Sequence, residues 1–368
     1  TLEAGFDLRR DEGEDREAYG AVKGVLRNWR FAGGAALVGG AYLEATEDVG
    51  RWLLTANVRA DIWADLEGHE DQGPLGGAAS LAQSYANRGG VTPTARLGAR
   101  YTVSDALWLR AALYSGFRPP TLNELYRPYR VGNLVTLANP ALVPERLNGA
   151  EIGAGGAWRA VSWNATGFYN RLIDPVTNVT LAQGPLSDPV GGFIPAGGEL
   201  LQRENVGAVD AFGVEADARL DLGGPLDARA SLSWTHARVD GGLQAPQLDG
   251  LRPAETPALA ATVALDAALT RMLGLTLDGR YEGQRFVDDQ NRLDLAPSFD
   301  LDARLTWRLN RRLSLYLYAD NLLNLAIQQN QTSAGLLNYG PPRSFGLGLR
   351  LDMGPSRAEG GRQALPKG

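Results

Sequence analysis

The chain of 368 residues has no cysteine and only two histidines, His69 and His236. Without thiols there is no disulfide framework and no thiolate metal site, and two histidines far apart make neither a multi-histidine centre nor a catalytic relay. No resident metal or cofactor is expected. A basic stripe is missing as well: 36 Lys and Arg stand against 42 Asp and Glu, a net charge of −6. With a pI near 5.2, the balance argues against a nucleic-acid partner. The carboxylates are spread along the chain and never paired within one loop, so no acid/base constellation of an enzyme emerges. No apolar run approaches the ~18 to 20 residues a membrane helix needs. What the chain does have is 46 Gly and 20 Pro, enough to punctuate many short strands.

A membrane β-barrel escapes hydropathy windows because lipid-facing and lumen-facing residues alternate. From Phe212 to Leu222 the apolar set is Phe212, Val214, Ala216, Ala218, Leu220 and Leu222, interleaved with Gly213, Glu215, Asp217, Arg219 and Asp221. The pattern resumes in Leu226, Ala228, Ala230, Leu232 and Trp234, and again over 273–281, 299–309, 313–319 and 345–353. This period of two predicts about fourteen strands. They fall near 2–10, 31–45, 51–65, 92–103, 107–116, 149–158, 162–172, 201–222, 226–239, 257–268, 272–284, 297–309, 312–322 and 342–353. Tight turns alternate with longer connections at 11–30, 66–91, 117–148, 173–200, 240–256, 285–296 and 323–341. Strict alternation puts every long loop at one end of the sheet, as in outer-membrane barrels. Trp52, Trp108, Trp158, Trp163 and Trp307 lie near the tight turns and read as an aromatic girdle on the periplasmic side. The expected fold is all-β, an antiparallel transmembrane barrel over residues 1–353. The tail at 354–368 reads as disordered.

One connection stands apart. Residues 117–148 carry Pro119, Pro120, Pro128, Pro140 and Pro144, which remove ladder donors and rule out a central strand. A long irregular loop in a compact fold is usually functional, and Arg118, Tyr126, Arg127, Tyr129, Arg130 and Asn139 are its candidate ligand-binding residues. The arginines offer planar donors to an anionic chelate, and the tyrosines offer stacking. Glu145 reads as structural.

At these residues the chain resembles the TonB-dependent outer-membrane receptors. Phe117-Arg118-Pro119-Pro120 is similar to a FRAP-type box, and Asn139-Pro140-Ala141-Leu142 followed by Pro144-Glu145 to an NPNL-type box with its PE. The resemblance extends from about Ala41 to Met353, including GRYEGQRFVDD from Gly279 and YADNLLN from Tyr318. It implies a barrel of about 22 strands, of which this chain holds the later ones, with plug, TonB box and early strands having no counterpart. Met353 stands where a terminal Phe is usual for the barrel-assembly machinery. The implied function is uptake of a scarce chelate, a ferric siderophore or a cobalamin-like molecule, energised by the TonB complex. Haem is not expected, because no histidine lies between Pro120 and Asn139, where the family's haem receptors carry an iron-binding one. The period of two alone also fits a passive channel of about fourteen strands or a soluble all-β binding protein.

Overall fold

Fourteen antiparallel strands pair in chain order into one sheet: β1 (Leu2–Tyr19), β2 (Asn28–Val49), β3 (Trp52–Pro74), β4 (Arg88–Ser104), β5 (Leu107–Arg118), β6 (Glu145–Trp158), β7 (Val161–Ile173), β8 (Ala208–Asp221), β9 (Leu226–Asp240), β10 (Leu259–Ala268), β11 (Leu273–Glu282), β12 (Ser298–Arg308), β13 (Leu313–Asp320) and β14 (Ser344–Leu351). A short strand, Leu81–Ser84, adds to β3, and β1 and β14 are the two edges of the path. The computed structural model describes every residue except 22, 223 and 354–368, so the expected tail lies outside the described residues. Turns and long loops alternate as the sequence predicts.

Register sorts the side chains into two faces. Leu275 pairs with Leu305, Leu305 with Leu317, and Leu317 with Leu347, so one apolar row crosses four strands. Leu347 and Leu349 are 85% and 61% exposed on that face, an arrangement that suits lipid and not water. On β1 the same face runs Leu2, Ala4, Phe6 and Leu8 before turning to Arg10, Glu12, Glu14 and Arg16, which marks the edge of the apolar band. The opposite face is wet and ion-paired: Arg59 bridges Asp7 and Asp61 at 2.7 and 2.6 Å, and Arg229 bridges Asp227 and Asp266.

Trp52, Trp158, Trp163 and Trp307 belong to the apolar face near the short turns, with Tyr101 against Trp52 at 4.7 Å. Trp108 does not. It lies on the polar face beneath the Arg100 guanidinium, filling the space beside Gly155, where a Cβ would come within 2.3 Å of the indole.

The expected strand ends need correction in two places. Stretches read as loops at 11–30 and 66–91 are largely strand, because β1 to β3 continue past the apolar band. There both faces of β1 are polar (Asp11, Glu12, Glu14, Asp15, Arg16, Glu17), so its hydrophobic period vanishes while backbone pairing goes on. The strand expected over 201–222 is two: Glu199–Asn205 leaves the main sheet, and β8 starts at Ala208.

Candidate functional site

The connection at 117–148 is folded, which corrects its reading as irregular. Thr121 caps the short helix α1 (Leu122–Tyr126) in a reciprocal box, its Oγ1 accepting from Glu124 N while the Glu124 carboxylate accepts from Thr121 N at 2.7 Å. Arg118, the last residue of β5, forks onto Glu124 at 2.9 and 3.1 Å and donates Nε to Glu145 at 2.7 Å. Glu145 opens β6 directly opposite Arg118, and its other oxygen accepts from Val176 N at 2.7 Å. Burial pushes the Glu124 carboxyl up, but Arg118 and Thr121 outweigh it and hold the group below its ordinary range. The first and second boxes therefore form one clasp that closes the base of the loop.

The rest of the second box completes it. Asn139 accepts from Ala141 N at 3.0 Å, a turn that Pro140 favours, and donates to Arg203 O and Glu204 at 2.9 and 3.1 Å. Leu142 packs with Leu125 and Tyr126, all nearly fully buried. Tyr126 stacks on Tyr85 at 5.3 Å, and its ring occupies the space left by Gly34 and Gly68, where a Cβ would sit 3.1 and 2.3 Å from it. Burial pushes the Tyr126 hydroxyl up, with Asp65 adding to the effect.

The candidate residues are thus placed as follows. Arg118 and Asn139 are engaged in the clasp. Tyr126 is 2% exposed. Arg127 pairs with Asp15 and Glu17 of β1, and Arg130 donates to the carbonyls of Gly191 and Phe193 at 2.9 and 2.8 Å. Tyr129 alone of the six lines a cavity, with the Arg203 guanidinium 5.0 Å above its ring.

That cavity, about 650 Å³, is built by a second sheet. Its order is Val176–Gln183, Glu199–Asn205, Leu134–Leu137, Tyr129–Val131, with the inner pair parallel and Glu199 opposite Leu134. Strand alternation brings Glu199, Leu201 and Arg203 to the cavity. Val179, Val206, Val239, Ala245 and Leu248 form an apolar cluster beside it. Two arginines brace the sheet at opposite sides. On one, Arg30 is 5% exposed, pairs with Glu17, stacks on Tyr19 at 4.4 Å and donates to the carbonyls of Pro128 and Val190 at 3.0 and 3.2 Å. On the other, Arg292 joins Glu199 at 3.0 Å and Asp288 at 3.3 Å. Burial raises the Glu199 carboxyl, and although Arg292 opposes this, Asp289 and Asp288 reinforce it. Burial lowers Arg203.

Sequence reasoning missed Arg30, Glu199, Arg203, Asp288, Asp289 and Arg292. The alternation of Glu199, Leu201 and Arg203 was visible, but it reads equally as a strand of the barrel wall.

Set beside known proteins, residues 1–322 match the family model described as TonB dependent receptor-like, beta-barrel. The chain is 29% identical over 134 residues to the vitamin B12 transporter BtuB of Photobacterium profundum, covering 36% of this chain and 19% of that protein. It is 30% identical over 164 residues to the probable hemoglobin and hemoglobin-haptoglobin-binding protein 4 of Haemophilus influenzae, covering 43% of this chain and 16% of that one. The structure of the ferric yersiniabactin uptake receptor FyuA of Yersinia pestis superposes with a TM-score of 0.73 at 19% identity, over 96% of this chain and 51% of that chain. The chain therefore spans about half the length of that receptor, and at this identity the likeness speaks for the fold.

Proposed function

Since the chain belongs to the TonB-dependent receptor family, a non-enzymatic family of the bacterial outer membrane, we propose that it serves the high-affinity uptake of a metal chelate. The ligand is siderophore-like or cobalamin-like, and its passage is energised by TonB through a plug domain of the family's kind. The observation that carries this reading is the cavity of about 650 Å³ among the long loops, lined by aliphatic side chains such as Leu134, Val176 and Leu201 together with charged ones. A chelate arrives with its metal already coordinated and needs only hydrogen bonds, stacking and shape from such a cavity.

Haem is disfavoured on the same grounds. No histidine lines the cavity among the described residues, and Tyr126 is buried with its hydroxyl pushed up, away from the tyrosinate that would bind iron. His69 lies on β3, 3.2 Å from the Glu67 carbonyl and 3.7 Å from Glu14. Of the sequence candidates, Tyr129 is the one proposed to meet ligand, by stacking.

Titration of the chain in detergent with ferric siderophores and cobalamin tests the reading. Binding weakened at least tenfold by Leu201→Trp, which fills the cavity, is the expected result. A tight haem complex with an axial-ligand absorption band, lost on mutating Tyr126, Tyr129 or His69, would overturn the choice of ligand.

A further inference from the structure

Seven charged groups line the cavity, and their pairing is uneven from end to end. Glu124 is matched by Arg118, and Glu255 by Arg285 at 3.1 Å. Arg252 spends Nη2 on the carbonyls of Thr256 and Gln284 and lies over the Phe286 ring. At one end, Glu199 and Asp288 share the single guanidinium of Arg292. Among the described residues, Asp289 beside them accepts only from the neutral Thr180, at N and Oγ1, both 2.8 Å. Among the described residues three carboxylates therefore meet one cation there. At the other end Arg203 donates to the carbonyls of Asn123 and Arg127 and covers Tyr129, with no carboxylate within ion-pairing distance among the described residues.

Glu199 and Arg203 project from one face of one strand, with Leu201 between them. Four residues at about 3.3 Å each separate the two by about 13 Å. A charge with no counter-charge in a partly enclosed space is costly unless water or a ligand answers it. We propose that the cavity is a polarised site for an amphoteric ligand, whose cationic group sits against Asp289 and Glu199 and whose anionic group sits against Arg203. The inference rests on the chelate reading above and adds the charge pattern of the chelate. It excludes polyanionic chelates, since the carboxylate end would repel one of their arms. The aliphatic stretch at Leu201, Leu134 and Val176 accommodates the uncharged middle.

Three ferric trihydroxamate chelates on one core serve as probes: one ending in an ammonium, one in a carboxylate, one carrying both. Calorimetric titration of the full chain in detergent is expected to show the doubly functional chelate binding at least tenfold tighter than either of the others. Asp289→Asn, which keeps an acceptor for Thr180, removes the advantage conferred by the ammonium and leaves that of the carboxylate. Arg203→Gln does the reverse, while Arg203→Lys retains the preference, which separates charge from any loosening of the loop. Equal affinity for all three probes, or a preference that neither variant alters, overturns the polarised site and leaves the chelate reading standing. Binding of none of the three overturns both.

Discussion

Glu145 is 9% exposed and holds the loop base with one oxygen on Arg118 and the other on Val176 N. Glu145→Ala leaves a backbone donor and part of a guanidinium without partners, and about 2 kcal/mol of local stability is lost. Hydrogen exchange at 119–144 and at Val176 should accelerate accordingly, with the main sheet beyond the Arg118–Glu145 pair unaffected. Two neighbouring carboxyls respond to pH with opposite sign. Glu124 lies below its ordinary 4.5, so its contribution is complete above that pH and is lost as pH falls through the folded value. Glu199 lies above its ordinary 4.5, so its contribution is complete below that pH and is lost as pH rises through the folded value. Acidification down to 4.5 should therefore slow exchange, relative to the intrinsic rate, around Thr180 and Glu199, and acidification below 4.5 should speed it around Thr121 and Glu124. Exchange moving in one direction at both places would contradict the two shifts. Beyond the reading of Glu145 as structural, none of these partners was legible in the sequence. Arg118 and Arg127 looked like donors free for a ligand because the carboxylates that occupy them, Glu145 and Asp15, are brought to them only by strand pairing and loop closure.

The strands themselves were largely legible, and the reason is solvation on two sides. Wherever lipid meets one face and water the other, period two survives, as in β8 to β14. Where β1 to β3 rise past the apolar band, lipid no longer meets the outer face and the inner face of β2 and β3 is covered by the loops through polar contacts such as those of Arg30, so the signal disappears, though the ladder continues. The second sheet was illegible for a different reason. Its inner pair is parallel and joins two separate loops, a contact that no local pattern encodes. The apolar face makes a direct test at this scale. Leu277, Leu305 and Leu347 should each lose about 2 to 4 kcal/mol on substitution by Lys or Arg if they lie near mid-bilayer. The same changes at Asp278 and Asp302, on the opposite face, should cost far less. Folding into liposomes measures both, and equal tolerance of the two faces is the result that contradicts a membrane barrel.

At the scale of the molecule, the short turns and the long loops lie at opposite ends of the sheet, and we assign the loops to the cell exterior. The absence of cysteine makes this simple to check. Single cysteines at Ser187 and Asn310 should be labelled by an impermeant reagent on intact cells at 187 and not at 310; the reverse would invert the orientation. Pairing in strict chain order has a consequence for how the chain reaches this state. Each main-sheet ladder joins a strand to the next one along the chain, so the wall can grow hairpin by hairpin with modest loop-closure entropy at every step. The parallel pair of Leu134–Leu137 with Glu199–Gln202 has no such route, since β6 and β7 must already be in place to bring its halves together. Pulse-labelled hydrogen exchange during refolding should find β9 to β13 protected before Leu200 and Val135. On this pathway the wall is the early product, and the cavity is assembled last.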